Sequence, residues 1–381
     1  MKPAKKIHFS LCLLCIKRHA LHPLAKKAKE CFVCEGKMHN IKKLCDEAIS
    51  LSKEFEYATF SVSTTFEKPL LLREEQVRDK ESLNNTLDIK NQANNIATAY
   101  IQNKTKKSPM PNTHAQLCIN LNFKSNRAKA VPANLCIFGH YIKNTRKYCQ
   151  HTWACSFCNG KGCKKCDFHA QNYPSIESAL RNTFAPAFGA QTAYLHASGR
   201  EDVDVMNLGG RPFVLELVSP KKRNLPLAPF TKKVKESFPL EATDLQYCPS
   251  FWIETICTSH FDKHYRAIVE AGSPLGAADF EKIREKFPLT ISQLTPIRVL
   301  GRRADLKRKR RVFSIKLHGA KDGKLTLDIF AEAGTYIKEL IHSDEGRTSP
   351  SISSILGKKC GCAQLDVLKI DDLFIQTLAK K

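Results

Sequence analysis

Two pairs of cysteines near the start of the chain place the strongest constraint on its fold. Cys12 and Cys15 form one Cys-x-x-Cys pair, and Cys31 and Cys34 form the second after a gap of fifteen residues. This spacing is typical of zinc ribbons and knuckles, in which each tight turn supplies two thiolates to a tetrahedral ion. A closed four-sulfur site leaves no position for a catalytic water. We therefore expect residues 1–50 to form a segment with structural zinc, with buried or redox thiols as the alternative.

A second group of four cysteines lies in the middle of the chain, at Cys155, Cys158, Cys163 and Cys166. The short spacer between its two pairs contains two glycines, which allow a sharp chain reversal. The pattern favours a second structural zinc site. A redox pair or an incompletely metallated site are alternatives, and the flanking His151 and His169 are candidates to replace one thiolate.

Composition limits the class of protein and its partners. The chain of 381 residues carries 61 Lys and Arg against 37 Asp and Glu, a formal charge of +24. Such an excess favours a polyanionic partner such as nucleic acid, although solubility alone is an alternative. The length argues against a small disulfide scaffold, residues 1–8 lack a convincing signal peptide, and no apolar run reaches the roughly 20 residues of a membrane span. We expect an intracellular protein, nuclear and/or cytoplasmic, with reduced thiols.

Strand-like and helix-like segments mix without strict alternation, which predicts an α+β fold. Residues 51–137 resemble a small α/β unit whose middle, Leu83–Lys107, is rich in Asn, Lys and Thr and predicts a loop or poorly packed insertion. In the remainder, 138–381, alternating runs from Phe313 and from Lys324 flank Asp322-Gly323, which predicts a β-hairpin. Thr335–His342 predicts a helix and Leu365–Ile370 a strand.

The heptapeptide Gly-Arg-Glu-Asp-Val-Asp-Val, Gly199–Val205, precedes a strand-like run, Pro212–Val218. A carboxylate on such a turn can be presented to a substrate, and Arg200 lies two residues before Asp202, on the same face of an extended chain. A neighbouring guanidinium favours an ionised carboxylate, as a nucleophile or base requires. The equally weighted alternative is that Asp202 caps backbone N–H groups of the turn.

Several segments together resemble the archaeal and eukaryotic tRNA pseudouridine synthases that modify uridines 54 and 55 of the TΨC arm. The resemblance spans about residues 138–371. Members of this family also have an accessory part with a THUMP-type RNA-binding domain, which the N-terminal region of this chain would supply. The segments that carry it are FGHYIKNTRKYCQHTW (138–153), HASGREDVDV with RPFVLELVSPKKR (196–223), HYRAIV (264–269), LTPIRVLGRRADLKRKR (294–310), AGTYIKELIHSDEGRTSPSISSIL (333–356) and AQLDVLKID (363–371).

This resemblance implies a catalytic domain with a mixed or antiparallel sheet and a reaction that needs no cofactor. It implies that Asp202 is the catalytic aspartate and Asp204 is structural. Tyr265 takes the place of the family's active-site tyrosine, Lys338 that of the basic partner of the aspartate, and Leu365 that of an apolar floor for the uracil. The sequence departs from the family where Met206-Asn207 replaces an Arg-Thr or Arg-Met pair, which predicts a weaker RNA contact.

A cluster of basic residues follows residue 300. We predict that it protrudes before the Phe313 hairpin and grips RNA phosphates, with a solvated loop or a nuclear-localisation signal as the alternative. The predicted substrate contacts are Arg200, Leu365, Arg302, Arg303, Lys307, Arg308, Arg310 and Arg347.

The sequence as a whole predicts a tRNA pseudouridine synthase with structural zinc, an N-terminal THUMP-like RNA-binding domain (51–137) and a catalytic domain (138–381). We expect tRNA as partner, and neither a membrane nor a small-molecule cofactor. The alternative is a non-catalytic, chaperone-like tRNA-binding protein on the same scaffold. A THUMP-linked methyltransferase is disfavoured, because Gly209-Gly210 lacks the spacing of a cofactor loop.

Overall fold

The structure, a computed structural model, describes residues 9–19, 30–83, 86–167, 169–301 and 303–378. It has an α+β fold and divides into two compact units. Unit 1 comprises Met1–Asn134, Phe188–Gln191 and Val218–Leu225, and unit 2 comprises the other residues, Leu135–Ala187, Thr192–Leu217 and Pro226–Lys381. Among the described helices, none is both long and apolar enough to cross a membrane.

Unit 1 contains a four-stranded sheet in the order β2-β1-β3-β4, in which β1 is parallel to β2 and β3, and β4 is antiparallel to β3. One apolar core joins this sheet, its helices and the first four cysteines. The strands are β1 Thr59–Thr65, β2 Ser108–Pro109, β3 Leu117–Asn122 and β4 Arg127–Pro132, and the helices are α1 Leu13–Arg18, α2 Ile41–Ser52, α3 Lys68–Lys80 and α4 Ile89–Thr105.

Helix α4 corrects the expectation that Leu83–Lys107 is a loop. The Asp88 side chain accepts a hydrogen bond from the Asn91 amide at 2.7 Å and caps the helix start. A narrow buried stripe then recurs every four residues: Ile89, Ala93, Ala97 and Ile101. Because two of these four residues are only alanines, the many Asn and Lys residues on the other faces mask the helical period.

Unit 2 contains a ten-stranded mixed sheet in the order β13-β10-β11-β12-β9-β14-β7-β5-β8, with β6 paired to β7. Its strands are β5 Leu135–Lys143, β6 Thr192–Ala197, β7 Met206–Val218, β8 Leu240–Cys248, β9 Lys263–Ala271, β10 Leu289–Gln293, β11 Arg308–Lys321, β12 Lys324–Ala331, β13 Thr348–Ser349 and β14 Cys360–Ile370. Its helices are α5 Ile176–Phe188, α6 Ala228–Ser237, α7 Trp252–Thr258, α8 Ala277–Arg284, α9 Ile337–His342, α10 Ile352–Leu356 and α11 Phe374–Leu378.

The predicted hairpin is present as β11 and β12. Asp322 and Gly323 have φ angles of 52° and 67°, the left-handed conformations of a two-residue turn whose twist matches the strands. Its first strand begins at Arg308 rather than at Phe313, so the end of the basic run lies in β11, where Arg310 pairs with Ile291 of β10. Backbone pairing, more than a protruding loop, therefore fixes these basic residues.

The centre of this sheet brings distant segments together. Strands β9 and β14 are antiparallel, with Tyr265 opposite Val367 and Ala267 opposite Leu365. Strand β7 begins beside β14, with Met206 opposite Asp366. Because paired residues share a face of a sheet, Tyr265 and Leu365 lie on one face. The loop that precedes Met206 carries Asp202 to the edge of this region.

Candidate active site

A left-handed glycine shapes the loop that carries Asp202, which connects β6 to β7. Gly199 has a φ of +77°, and a Cβ there would lie 3.0 Å from Nη1 of Arg211. That guanidinium donates a hydrogen bond to the Ser198 carbonyl at 2.6 Å. A side chain at residue 199 would strain the backbone and displace Arg211, which explains why the loop begins with glycine.

A buried ion pair lies beneath the loop. Glu201 and Arg211 are 2.8 Å apart, and each side chain is only 1% exposed. The Tyr141 hydroxyl donates to the same carboxylate at 2.9 Å. Gln150 donates to the Tyr141 oxygen and to the Gly199 carbonyl, both at 2.9 Å. Burial opposes the charge of Arg211, but Glu201 outweighs it and raises the pKa of the guanidinium. These bonds fix the loop from below.

A buried lysine holds the loop backbone at Asp202 itself. The Lys143 ammonium donates to the carbonyls of Tyr148, Asp202 and Val203 at 2.8, 3.0 and 2.9 Å. Burial lowers the pKa of Lys143 to about 8. Since both the carbonyl of Asp202 and its preceding residue are anchored inward, its side chain points outward and remains 37% exposed.

Two cations lie beside the Asp202 carboxylate. Arg298 Nη1 donates to Oδ1 at 2.8 Å, and Lys338 Nζ lies 3.4 Å from Oδ2. Lys338 binds Asp204 more closely, at 2.7 and 2.9 Å. Burial alone would raise the pKa of Asp204, but the Lys338 ammonium outweighs it and holds the pKa below its usual value. The closest cation to Asp202 is thus Arg298, which also bonds the buried Glu339 at 2.7 Å.

Arg200 corrects the expectation of a local guanidinium partner for Asp202. Its guanidinium lies over the Trp153 ring, 4.8 Å from the centroid. Arg298, 96 residues further along the chain, takes the expected position. Arg298 lies in the family-like segment LTPIRVL, but its local sequence predicts no role for it. The turn that brings Arg298 to Asp202 is visible only in three dimensions.

Tyr265 and Leu365 are 8% and 7% exposed and belong to one apolar cluster with Val205, three residues after Asp202. Burial raises the pKa of Tyr265 to about 12, with Arg211 opposing and Glu201 adding to this rise. The phenol is therefore neutral at physiological pH. Its strand β9 pairs with β14, which in turn pairs with the start of β7, directly after the Asp202 loop.

The predicted basic contacts divide into exposed and occupied groups. Lys307 is exposed, and Arg303 donates to the Tyr336 hydroxyl at 3.1 Å. Arg308 donates to Thr295 Oγ1 at 3.4 Å, and Arg310 to Glu332 at 3.4 Å. Arg302 lies outside the described residues.

Arg347 is engaged by the protein rather than directed at solvent. Its guanidinium donates to the Thr295 carbonyl at 2.9 and 3.2 Å and also bonds Asp305. The side chain is 20% exposed. In this structure Arg347 stabilises the loop around Thr295, and its contact with substrate stays a prediction.

The Met206-Asn207 departure occurs at a tightly packed point. Asn207 is fully buried, and its Oδ1 accepts a hydrogen bond from the Gly209 amide at 3.3 Å. The Met206 amide donates to Asp366 Oδ1 at 3.4 Å, and Arg146 Nη2 donates to the same oxygen at 2.5 Å. Arg146 also bonds the carbonyls of Asp204 and Leu365, so a guanidinium is present here from another part of the chain.

Both cysteine groups have the geometry of a metal site. In each group the four sulfurs lie within 4.8 Å of one another. Nearest Sγ–Sγ distances are 3.6 Å in the first group and 3.8–4.0 Å in the second. A tetrahedron with 2.3 Å metal–sulfur bonds has sulfurs about 3.8 Å apart. The residues therefore fit a bound metal ion at both places.

A buried ion pair lies beside the first group. Arg18 is fully buried, with Nη1 3.6 Å from the Cys15 sulfur and Nε 2.9 Å from Glu74. Because the Glu74 carboxylate already pairs with this guanidinium, Arg18 supplies no unpaired positive charge to the sulfurs. The fit to a metal ion rests on the spacing of the four sulfurs.

The chain is similar over most of its length to known proteins of one family. Residues 136–371 match the family model described as "Pus10, C-terminal". The tRNA pseudouridine synthase Pus10 of Methanocaldococcus jannaschii is 33% identical over 357 residues, covering 92% of this chain and 78% of that protein. The protein of the same name from Methanosphaera stadtmanae is 32% identical over 395 residues, covering 95% and 96%. The crystal structure of a Cbf5-Nop10-Gar1 complex is similar with a TM-score of 0.34 and 14% identity, covering 61% of this chain and 48% of that one.

The class of protein is therefore an isomerase, a pseudouridine synthase. The chain belongs to the Pus10 family.

We expect replacement of Arg298 by methionine to lower kcat about tenfold to a hundredfold, because one charge-assisted hydrogen bond to Asp202 is lost. Steady-state kinetics on RNA substrate measure it. Since Arg298 positions Asp202 and is not assigned to binding, KM should change little and Arg298→Lys should recover part of kcat. If Arg298→Met and Arg298→Lys instead lost kcat and thermal stability to the same extent, Arg298 would act in folding, through its bond to Glu339.

Proposed function

We propose that this chain converts uridine to pseudouridine in the TΨC arm of tRNA, at position 55 and with position 54 as a second target, using Asp202 as the essential carboxylate. The observation that carries the proposal is the presentation of Asp202. Its backbone is anchored by Lys143, its loop is fixed by the buried Glu201–Arg211 pair, and its carboxylate lies beside Arg298. A preorganised, outward-facing carboxylate is what an enzyme needs to act on an extruded nucleotide.

The reaction is an isomerisation and balances without a cofactor. Asp202 promotes cleavage of the N1–C1′ glycosidic bond of the flipped uridine. The released uracil rotates, C5 bonds to C1′, and the C5 proton leaves to water while N1 takes up a proton. Arg298 and Lys338 keep the carboxylate in place during these steps, because both are within 3.4 Å of it.

We assign Tyr265 and Leu365 to the uracil pocket. Both lie on the same sheet face, and Tyr265 is neutral since burial raises its pKa to about 12. A neutral phenol ring is suited to stacking on the uracil and to hydrogen bonding. Tyr265 or a water then helps to remove the C5 proton. Leu365 supplies the apolar floor against which the freed base rotates.

The names of the relatives and the charge of the chain support tRNA as the substrate. The relatives are named tRNA pseudouridine synthases, and a net charge of +24 suits a phosphate backbone. We assign the exposed basic residues of the 303–310 run and Arg200 to phosphate contacts, and unit 1 to a THUMP-like accessory role. The site of action is then intracellular.

We propose that both cysteine groups hold structural zinc. Mass spectrometry of the native protein should detect two zinc ions. Cys31→Ser should remove one of them and lower the Tm of unit 1, because its sulfurs are part of that unit's core. Cys163→Ser should remove the other zinc ion and leave the Tm of unit 1 unchanged. Equal metal content in Cys31→Ser and the wild type would contradict the assignment.

Release of tritium from tRNA labelled at C5 of uridine tests the function, because that hydrogen is lost when C5 becomes bonded to C1′. Methylation at C5 also releases it, but methylation needs a methyl donor, which is left out. Purified protein without added cofactor should release tritium from unmodified tRNA transcript. Tight tRNA binding with no release would favour the non-catalytic, chaperone-like alternative.

A further inference from the structure

The second cysteine group builds a small, closed knuckle in unit 2, which we define as residues 155–166. The Cys155 amide donates to the Ala170 carbonyl at 2.9 Å and the Asn172 amide to Trp153 at 3.0 Å, so its two ends are joined. The four cysteines close it at the other side. The knuckle therefore holds its surface side chains on a rigid support, although none of the reaction steps above uses it.

The knuckle exposes an aromatic ring beside positive charge. Phe157 is 67% exposed, the highest value among the large apolar side chains described. The Lys165 ammonium lies 3.5 Å from the centroid of its ring. Lys161 and Lys164 are also exposed, and the segment contains no acidic residue. A single exposed apolar residue is common on protein surfaces. A ring with a cation on its face and two further lysines in the same segment offers both a stacking surface and positive charge.

This chemistry matches a nucleotide. Proteins that bind unpaired nucleic acid stack bases on aromatic side chains and contact the phosphates with basic ones. A protein partner would more often meet an apolar surface with charges of both signs at its rim. The uniform positive charge of the knuckle thus favours RNA.

A second contact connects the knuckle to the loop of Asp202. Trp153, two residues before Cys155, carries the Arg200 guanidinium at 4.8 Å from its ring centroid. Its ring also meets the Tyr173 ring at 6.1 Å, and Tyr173 is 43% exposed. The chain segments that enter and leave the knuckle therefore meet at Trp153, which contacts Arg200 of the loop that presents Asp202, within the same unit.

We propose that the knuckle binds an unpaired nucleotide of the RNA substrate outside the uracil pocket. Phe157 stacks on the base, and Lys161, Lys164 and Lys165 contact neighbouring phosphates. This surface contributes affinity and register, not chemistry. The proposal rests on the proposed function only in taking tRNA as the RNA.

The test compares substitutions at Phe157 in the full-length, metal-loaded protein. Phe157→Leu keeps an apolar side chain without a ring, and Phe157→Tyr keeps the ring. Phe251→Leu is a matched control, because Phe251 is a 57% exposed phenylalanine elsewhere in unit 2. Binding of unmodified tRNA transcript is measured by fluorescence anisotropy with Asp202→Asn in every protein, which prevents turnover.

We expect Phe157→Leu to weaken tRNA binding about fivefold to a hundredfold, since one base–aromatic stack is lost. Phe157→Tyr and Phe251→Leu should bind like the parent. Lys165→Gln should reduce the slope of log Kd against log salt by about one. Parent-like binding by Phe157→Leu would overturn the proposal, as would loss of metal from Phe157→Leu, which would assign the ring to folding of the knuckle. If Phe157→Leu changed the oligomeric state and left the tRNA affinity unchanged, the surface would bind a second copy of the chain, which would also overturn the proposal.

Tritium release by the corresponding proteins with Asp202 intact separates this proposal from the proposed function. If the wild type releases no tritium but Phe157→Leu still weakens tRNA binding, the knuckle surface stands and the catalytic assignment fails. If the wild type releases tritium and Phe157→Leu binds normally, the catalytic assignment stands and the knuckle surface fails.

Discussion

Asp202→Asn should lower the rate of pseudouridine formation by at least about a thousandfold, because the substitution removes the carboxylate that we propose as essential and leaves the binding site in place. The amide is close in shape to the carboxylate and can still accept a hydrogen bond from Arg298, which lies 2.8 Å away. Folding and tRNA affinity should therefore change little. Single-turnover kinetics on tRNA transcript measure the rate.

Asp204→Asn is the matched control for this substitution. It lies in the same loop and shares Lys338, at 2.7 Å. Because we assign Asp204 to holding Lys338 rather than to the reaction, Asp204→Asn should lower the rate far less than Asp202→Asn. If Asp204→Asn were the inactive variant and Asp202→Asn the active one, the assignment of the two carboxylates would be reversed.

Arg211→Met should destabilise unit 2 by about 3–5 kcal/mol, the usual cost of leaving a buried charge without its partner. The substitution leaves the Glu201 carboxylate 1% exposed, and the Tyr141 hydroxyl is then its only hydrogen-bond donor among the residues that the structure describes. Hydrogen exchange of amides in β7 and the preceding loop measures the opening free energy of this region.

A double-mutant cycle provides the control for Arg211. Glu201→Gln alone should also destabilise, because Arg211 is then buried without a counter-charge. The double variant should be less destabilised than the sum of the single ones, since neither charge remains. Additive losses would mean that the two side chains do not stabilise each other and that the loop is fixed by other contacts.

Local patterns in the sequence were enough to find several parts of this structure. The Cys-x-x-Cys spacing predicted both groups of sulfurs that now lie within 4.8 Å, and Asp-Gly predicted the turn at residue 322. The segment around Asp202 predicted a turn followed by a strand, and the structure has the loop 198–205 followed by β7, because both are encoded by neighbouring residues. The α+β fold followed from the mixed order of elements.

The partners of Asp202 were not predictable in the same way. Arg298 reaches the carboxylate through the three-dimensional path of the chain, and nothing in its local sequence distinguishes it from the basic residues that follow. In the sequence, Glu201 is one of three acidic residues of the turn and nothing marks it as buried. In the structure it is buried against Arg211 and stabilises the Asp202 loop. Helix α4 was not predicted, because its buried stripe consists of two alanines and two isoleucines. Such a stripe gives a weak hydrophobic period within a polar segment.

The most direct test of the central claim is the position of pseudouridine in tRNA transcript treated with the purified protein. Carbodiimide adducts, read by primer extension, mark pseudouridine at single-nucleotide resolution. The wild-type protein should give a stop in the TΨC arm, and Asp202→Asn should give none. Pseudouridine made equally by both proteins, or by neither despite tight binding of tRNA, would contradict it.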